Sequence, residues 1–236
     1  MRESPPGLRS LEPGGPTATW VIAGVAGVVA SRSRNGPFVR VYRKGFVMSV
    51  DVFFDYTCGF SNRAQHWIAA VSDADVRWRP FSLLEQNRDG SGPPVFEQPG
   101  LGENVSLVAL AVHEAVRSEG GNVDGYRRRM FAGWHDEPGR LSTQDIIGFG
   151  LACGLTRFDH DTAFAAVAAE HAEASQWGVF GTPTLVFGAS QAAFVKLDAV
   201  PTADRAEPLW DSVRQLATAE PALREWQRVT APETSR

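Results

Sequence analysis

Lysine is almost missing from this chain of 236 residues: Lys44 and Lys196 are the only two, which leaves arginine as 21 of the 23 cationic residues. With abundant alanine and glycine, that bias is a compositional mark of a GC-rich bacterial genome. An excess of positive charge is also lacking. The 23 basic residues face 27 acidic ones, a net charge of −4, which removes the basic face that nucleic-acid binding needs. Cysteine is scarce, with two residues, and this excludes both a disulfide framework and a zinc site built mainly from thiolates. No apolar run reaches the ~18 residues of a spanning helix, so no stable membrane association is expected. Hydrophobic residues are plentiful at 43%, against 21% charged, so the chain can bury a sizeable core.

The first 47 residues differ from the rest. They hold seven basic and two acidic residues, and the early Pro5, Pro6, Gly7, Pro13, Gly14, Gly15 and Pro16 disfavour regular structure. An apolar stretch, Trp20 to Ala30, has the length of a secretory core segment, but its basic cluster lies after it rather than before. The expectation is a disordered or spurious extension over 1–47, with Met48 as the effective start.

From Val50 onward the pattern is clear. Val50 to Tyr56 is a β-branched and aromatic run that predicts a buried strand. Ala64, Trp67, Ile68 and Val71 form one helical stripe, and Val76 to Phe81 a second strand. Strand, helix and strand in this order predict a parallel βαβ unit. After the Gly- and Pro-rich loop from Gln86 to Gly102 comes an all-helical block. Its stripes are Val105, Val108, Ala109, Val112, Val116 and then Val123, Tyr126, Met130, Phe131, Trp134; Ser142 to Asp145 resembles a capping box. Phe164, Val167, Ala168 and His171 continue the block, and Gly178 is placed to end it. Strands return over Thr184 to Phe187 and Ala193 to Leu197, joined at Gly188-Ala189-Ser190. A last helix carries Leu209, Val213 and Leu216. This order is α/β: a thioredoxin-like fold with an inserted all-helical domain. Residues 48–100 and 179–236 form the thioredoxin-like part, and 101–178 the insertion.

Chemistry is expected where the first strand feeds the first helix, since ligands bind at the carboxyl ends of sheet strands. Cys58-Gly59-Phe60-Ser61 stands there. The unpaired N–H groups and partial positive charge of a helix start stabilise a thiolate, the nucleophile of thiol–disulfide exchange. No apolar periodicity around Cys58 calls for its burial. Gly59 lets a partner's backbone approach, and Phe60 supplies an apolar rim. Ser61 occupies the place of a resolving cysteine; it cannot form a disulfide, but its hydroxyl can bond the thiolate. The second element is Phe180-Gly181-Thr182-Pro183-Thr184 ahead of a strand. A cis bond at Pro183 would leave the Thr182 backbone free to bind a disulfide or thiol as an added strand.

Three segments carry a resemblance: Phe53 to Ser61, Trp78-Arg79-Pro80-Phe81-Ser82-Leu83, and Gly178 to Thr184. Over about residues 50 to 230 the chain resembles the DsbA-like thioredoxin superfamily. That group includes FrnE-like proteins, 2-hydroxychromene-2-carboxylate isomerases and kappa-class glutathione transferases. Phe194-Val195-Lys196-Leu197 and Leu209-Trp210-Asp211 are most similar to its actinobacterial branch, which includes mycothiol-dependent reductases. The resemblance implies a thiol–disulfide oxidoreductase with Cys58 as nucleophile and Thr182 and Pro183 orienting the sulfurs. Ser61, where family oxidoreductases usually carry cysteine, implies monothiol chemistry. The partners are then a small thiol of mycothiol or glutathione type, as co-substrate, and a disulfide or electrophilic substrate. No tightly bound cofactor and no metal are expected, the compartment is the cytoplasm, and a homodimer is allowed for. The four letters also match the monothiol glutaredoxin motif, whose members hold an iron–sulfur cluster with glutathione, but the long helical insertion marks this as coincidence. Two other classes stay open. One is a thiol-dependent transferase or isomerase, which commonly has serine at the position of Cys58; the other is a binding module that has lost turnover.

The remaining candidates read as structural. Cys153 is expected inside a helix as a packed thiol, and Trp67 and Trp78 in the core. His171 reads as an interior histidine, and its spacing from His160 and Asp161 fits no metal site. His66 lies two turns beyond Cys58, too far to serve as its base. His113, His135 and the run Arg127-Arg128-Arg129 sit among charged neighbours and read as surface.

Overall fold

The computed structural model describes residues 17–20, 28–33, 39–42, 49–72, 74–136, 141–188, 191–220 and 222–225. The chain divides into two units after Met48. In the first, β1 (Thr17–Trp20), β2 (Val28–Ser33) and β3 (Val39–Tyr42) pair as an antiparallel meander, with Thr17 opposite Ser33 and Val28 opposite Tyr42. This differs from the expectation of an extension without regular structure. The three segments are rich in β-branched residues, which favour strands, and the prolines precede them. The rest of that expectation lies outside the described residues.

The second unit is built on β4 (Val50–Phe54), whose last three residues are buried. It pairs in parallel with β5 (Val76–Pro80) through the crossover helix α1 (Gly59–Ala69), as the βαβ pattern predicts. On its other side lies antiparallel β6 (Thr184–Phe187), followed by β7 (Gln191–Phe194), giving the order β5-β4-β6-β7. Between β5 and β6 come α2 (Leu83–Gln86), α3 (Val105–Ser118), α4 (Val123–His135), α5 (Thr143–Ala152) and α6 (His160–Gln176). The helix α7 (Ala203–Ala219) follows β7. This is the expected thioredoxin-like α/β fold with helices inserted. Strand β7 ends earlier than the sequence predicts, because Phe194 pairs with Thr184 and the next residue, Val195, already bonds the Pro183 carbonyl.

Alternation along the strands sorts the two faces. Phe54, Trp78 and Phe187 face one side, where Phe54 meets Phe131 of α4 and Phe187 meets Trp210 of α7. Trp67 of α1 also packs on Trp210 and donates its indole N–H to the Ala206 carbonyl. The buried face of α7 is therefore Ala206 and Trp210, not the expected Leu209, Val213 and Leu216 stripe; Leu216 is exposed. The reason is local: the one large aromatic of α7 must fill the space over Trp67, and that sets the rotation of the helix. On the opposite face Phe53, Phe81, Val179 and Val186 close over Ala174 near the end of α6. Gly178 ends that helix with φ 73°, as its position suggests.

The same face carries a charged lattice. Arg79 is only 3% exposed, yet its guanidinium reaches Glu170 at 2.5 Å, Glu173 at 2.5 Å and Asp51 at 3.0 Å, and lies 4.8 Å over Phe53. Glu170 also meets Arg117, which pairs with the buried Glu114. Burial raises the Glu114 carboxyl and Arg117 opposes that shift. The lattice ties β4 and β5 to α3 and α6. Arg79→Met removes the cation while Glu170 stays largely covered, so unfolding in denaturant should show a loss of about 3 kcal/mol; a loss within experimental error would mean the lattice is not structural.

Candidate functional site

Chain geometry alone brings the predicted residues together. Strand β4 ends at Phe54, the next three residues turn, and Cys58 caps the N-terminus of α1 with extended backbone (φ −85°, ψ 112°). The Asp55 carbonyl accepts the Cys58 N–H at 3.1 Å and thereby holds the turn. On the far side of the sequence, Thr182–Pro183 is a cis peptide immediately before β6. Antiparallel pairing of β6 with β4 sets the two loops side by side, and the Cys58 thiol donates to the Thr182 carbonyl at 3.3 Å.

Two details differ from the sequence reading. Cys58 is covered, with 9% of its surface exposed, because the loop before Pro183 packs against it. And the Cys58 thiol bonds the Thr182 carbonyl rather than the Ser61 hydroxyl. Ser61 is fully buried one helical turn on, and its Oγ has no protein partner; neither has the Oγ1 of buried Thr182. A buried hydroxyl left unpaired costs about 1–3 kcal/mol. Gly59 is not demanded by the interior: a Cβ there would meet only Arg63 Nη1, at an ordinary 3.8 Å. Phe60 is half-buried, under the Arg63 guanidinium at 4.7 Å.

The sequence reading missed the groups that fix the turn carrying Cys58. Asp55 is 2% exposed and accepts three bonds, from the N–H and hydroxyl of Thr57 and from the N–H of Leu83. Burial pushes its carboxyl up, against the pull of those three donors. Next to it, Tyr56 is gripped by the helical block: its hydroxyl bonds His113 Nδ1 at 2.8 Å, and its carbonyl accepts from His135 Nε2 at 2.8 Å. Both histidines are thus corrections to the surface expectation, and His113 is 1% exposed. Arg127 is corrected too: it is buried, lies 4.6 Å over Trp78, and pairs with Asp124 at 2.5 Å. Charged neighbours misled in each case: α3 is covered nearly all round at His113, while on α4 Arg127 packs over Trp78 and His135 reaches the Tyr56 carbonyl. His171 is interior as expected, stacked on Phe81.

A cavity of about 700 Å³ opens beside this turn, lined by Asp55, Thr57, Leu83, Asn87, Arg88 and Ser91 among others. That volume is in the range of small-molecule sites. Cys153 lies elsewhere. It caps the C-terminus of α5 and is half-buried, not inside the helix as expected; both cysteines are free thiols. Among the described residues no group of three or more His, Cys, Asp or Glu side chains converges as a metal site, and no helix is long and apolar enough to cross a membrane.

Comparison with known proteins follows from this geometry. Residues 49–211 match the family described as the DSBA-like thioredoxin domain. No curated protein matches the chain. Solved structures that are similar include a probable DsbA oxidoreductase from Streptomyces coelicolor, at 15% identity over 78% of this chain and 94% of that one, TM-score 0.49. A cytosolic disulfide reductase, DsbM from Pseudomonas aeruginosa, is 18% identical over 72% of this chain and 100% of that one, TM-score 0.47. The DsbA disulfide interchange protein of Klebsiella pneumoniae is 15% identical over 70% and 87%, TM-score 0.46.

The His113 grip has a measurable consequence. Burial, with Arg127 and Arg117 nearby, pushes the imidazole down to about 3 from its ordinary 6.5. The folded chain then binds fewer protons than the unfolded one, so stability rises with pH across this window and falls as pH drops from about 6.5 toward 3. The unfolding free energy of the native chain minus that of His113→Gln should change by up to about 1.4 kcal/mol per pH unit within it. A flat difference between about pH 4 and 6 would refute the burial argument.

Proposed function

The chain belongs to the DSBA-like thioredoxin-domain family of thiol–disulfide oxidoreductases, and from that premise we propose that it works as a monothiol enzyme through a mixed disulfide on Cys58. The observation that carries this reading is the pairing of one covered thiol with the Thr182 carbonyl, with a buried, unpartnered Ser61 hydroxyl where a second thiol would resolve the product. As a thiol, Cys58 donates to Thr182. As a thiolate it has no proton to donate and becomes an acceptor, which the Ser61 hydroxyl can serve; the partial positive charge of the α1 N-terminus adds to this.

The reaction then runs in two exchanges. The Cys58 thiolate attacks one sulfur of a disulfide, the Cys58–sulfur bond forms, and the other half leaves as a thiolate that takes up the proton Cys58 gave away. Resolution comes from a low-molecular-weight thiol, of mycothiol or glutathione type, whose thiolate displaces Cys58. The 700 Å³ cavity beside Thr57 is large enough to admit such a co-substrate. A supply of reduced small thiol fits a reducing cytoplasm.

Intact mass after incubation with oxidised small thiols tests the reading. One adduct is expected, on Cys58, persisting until a thiol is added. In Ser61→Cys the new thiol lies at the third helical position facing the cap residue, and internal attack should clear the adduct on the order of a hundredfold faster. Turnover by the native chain without added thiol, or an adduct on Cys153 instead, would refute the proposal. Absence of any adduct would favour a binding module or a transferase.

A further inference from the structure

Around the Cys58 and Pro183 loops the surface is aromatic and cationic together. Phe180 is 63% exposed, and its ring meets Phe194 edge-on at 4.8 Å. Phe194 packs close against Gly181, where a Cβ would come within 3.1 Å of the ring. Phe60, two residues past Cys58, joins them through Lys196, whose Nζ sits 5.3 Å from the Phe60 ring centre and 5.1 Å from that of Phe194. The Val195 N–H donates to the Pro183 carbonyl at 3.1 Å, so Lys196 follows directly on the residue bonded to the cis-proline. Arg63 spends its Nε on the Leu197 carbonyl. Among the described residues neither Arg63, half-buried, nor Lys196, exposed, is paired with a carboxylate, whereas the buried cations Arg79 and Arg127 both are. The same two loops carry the buried, unpartnered hydroxyls of Ser61 and Thr182.

We infer that this rim selects the disulfide that Cys58 attacks: a small disulfide with an apolar or aromatic body and a carboxylate close to its sulfur, the body against Phe60, Phe180 and Phe194 and the carboxylate at Lys196. The inference rests on the mixed-disulfide reading and names its substrate class. Cation–π contacts of this exposure hold the ammonium only weakly, so Lys196 is steered by the rings yet free to pair with an incoming anion. An apolar rim alone would accept any disulfide; the unpaired cation is what discriminates by charge. The chemistry stays that of exchange. The Cys58 thiolate bonds the sulfur of the carboxylated half, and the other half leaves as the thiolate.

The probes are two aromatic disulfides of similar bulk, the carboxylated dithio-bis-nitrobenzoate and the uncharged dithiodipyridine. The measurement is the rate of adduct formation at Cys58 in the full chain. The native protein should favour the anionic probe, and the anionic-to-neutral rate ratio should fall about fivefold in Lys196→Gln, the loss of one exposed charge contact. In Lys196→Glu the ratio should fall further. Lys196 is on the surface, so folding is not at stake, and taking the ratio cancels any difference in probe reactivity. Adducts with both probes and a ratio unchanged by either variant would overturn the inference and leave the mixed-disulfide reading standing. No adduct with either probe would overturn both.

Discussion

The thiol of Cys58 donates to the carbonyl of Thr182 across 124 residues of chain. That contact exists only because β4 and β6 are antiparallel neighbours at the centre of the sheet, with Phe53 opposite Thr184. The end of one strand and the start of the other then fall at the same edge. Two backbone bonds hold these two ends in place. The Val195 bond to Pro183 fixes the loop from the far side, and the Asp55 carbonyl fixes the cap residue from the near side.

The helical block does more than widen the molecule. Tyr56 stands two residues before Cys58, and its hydroxyl and its carbonyl are held by histidines of that block, one from α3 and one from the end of α4. His113 also lies against the backbone of Trp78 on β5, which favours its protonated form slightly against the effect of burial. A single buried imidazole thus joins the helical block, the edge strand and the active turn. The Arg79 lattice fixes the same strand from the other face through α6. The turn carrying Cys58 is therefore braced by two different kinds of interaction, one neutral and one ionic, on the two sides of the sheet.

Local signals with a strict spacing were legible in the sequence. The capping box of Ser142 and Asp145 forms with both of its reciprocal bonds. The β4 run, the α1 stripe and the glycine ending α6 also follow from residue type and period alone. What could not be read were polar groups whose partners are distant in sequence. Asp55 gives no periodic signal, and only the Leu83 N–H, 28 residues on, reveals why a carboxylate is buried there. His113, next to Glu114 in sequence, read as surface. Both are instead interior, because Arg117 satisfies Glu114 and Tyr56 satisfies His113. The site was half legible for the same reason. The sequence marks Cys58, Ser61, Thr182 and Pro183, but it does not say that Phe194 and Lys196 return beside Pro183, since that depends on the β6–β7 register.

A single-cysteine exchange places a demand on shape that a dithiol pair does not. With an internal resolving thiol, the second sulfur is already within one helical turn, and the site need open to only one partner. Without it, two external sulfurs must reach the same atom in turn, and the first must remain bound while the second arrives. Distinct surfaces for the two partners meet that demand. Two surfaces flank Cys58 along the chain: a cavity beside Thr57 and Asp55 lined by polar, charged and apolar side chains alike, and an aromatic, cationic rim around Phe60, Phe194 and Lys196. On the monothiol mechanism proposed above, such a division would do the work of the cysteine that Ser61 replaces, one surface for the disulfide and one for the resolving thiol.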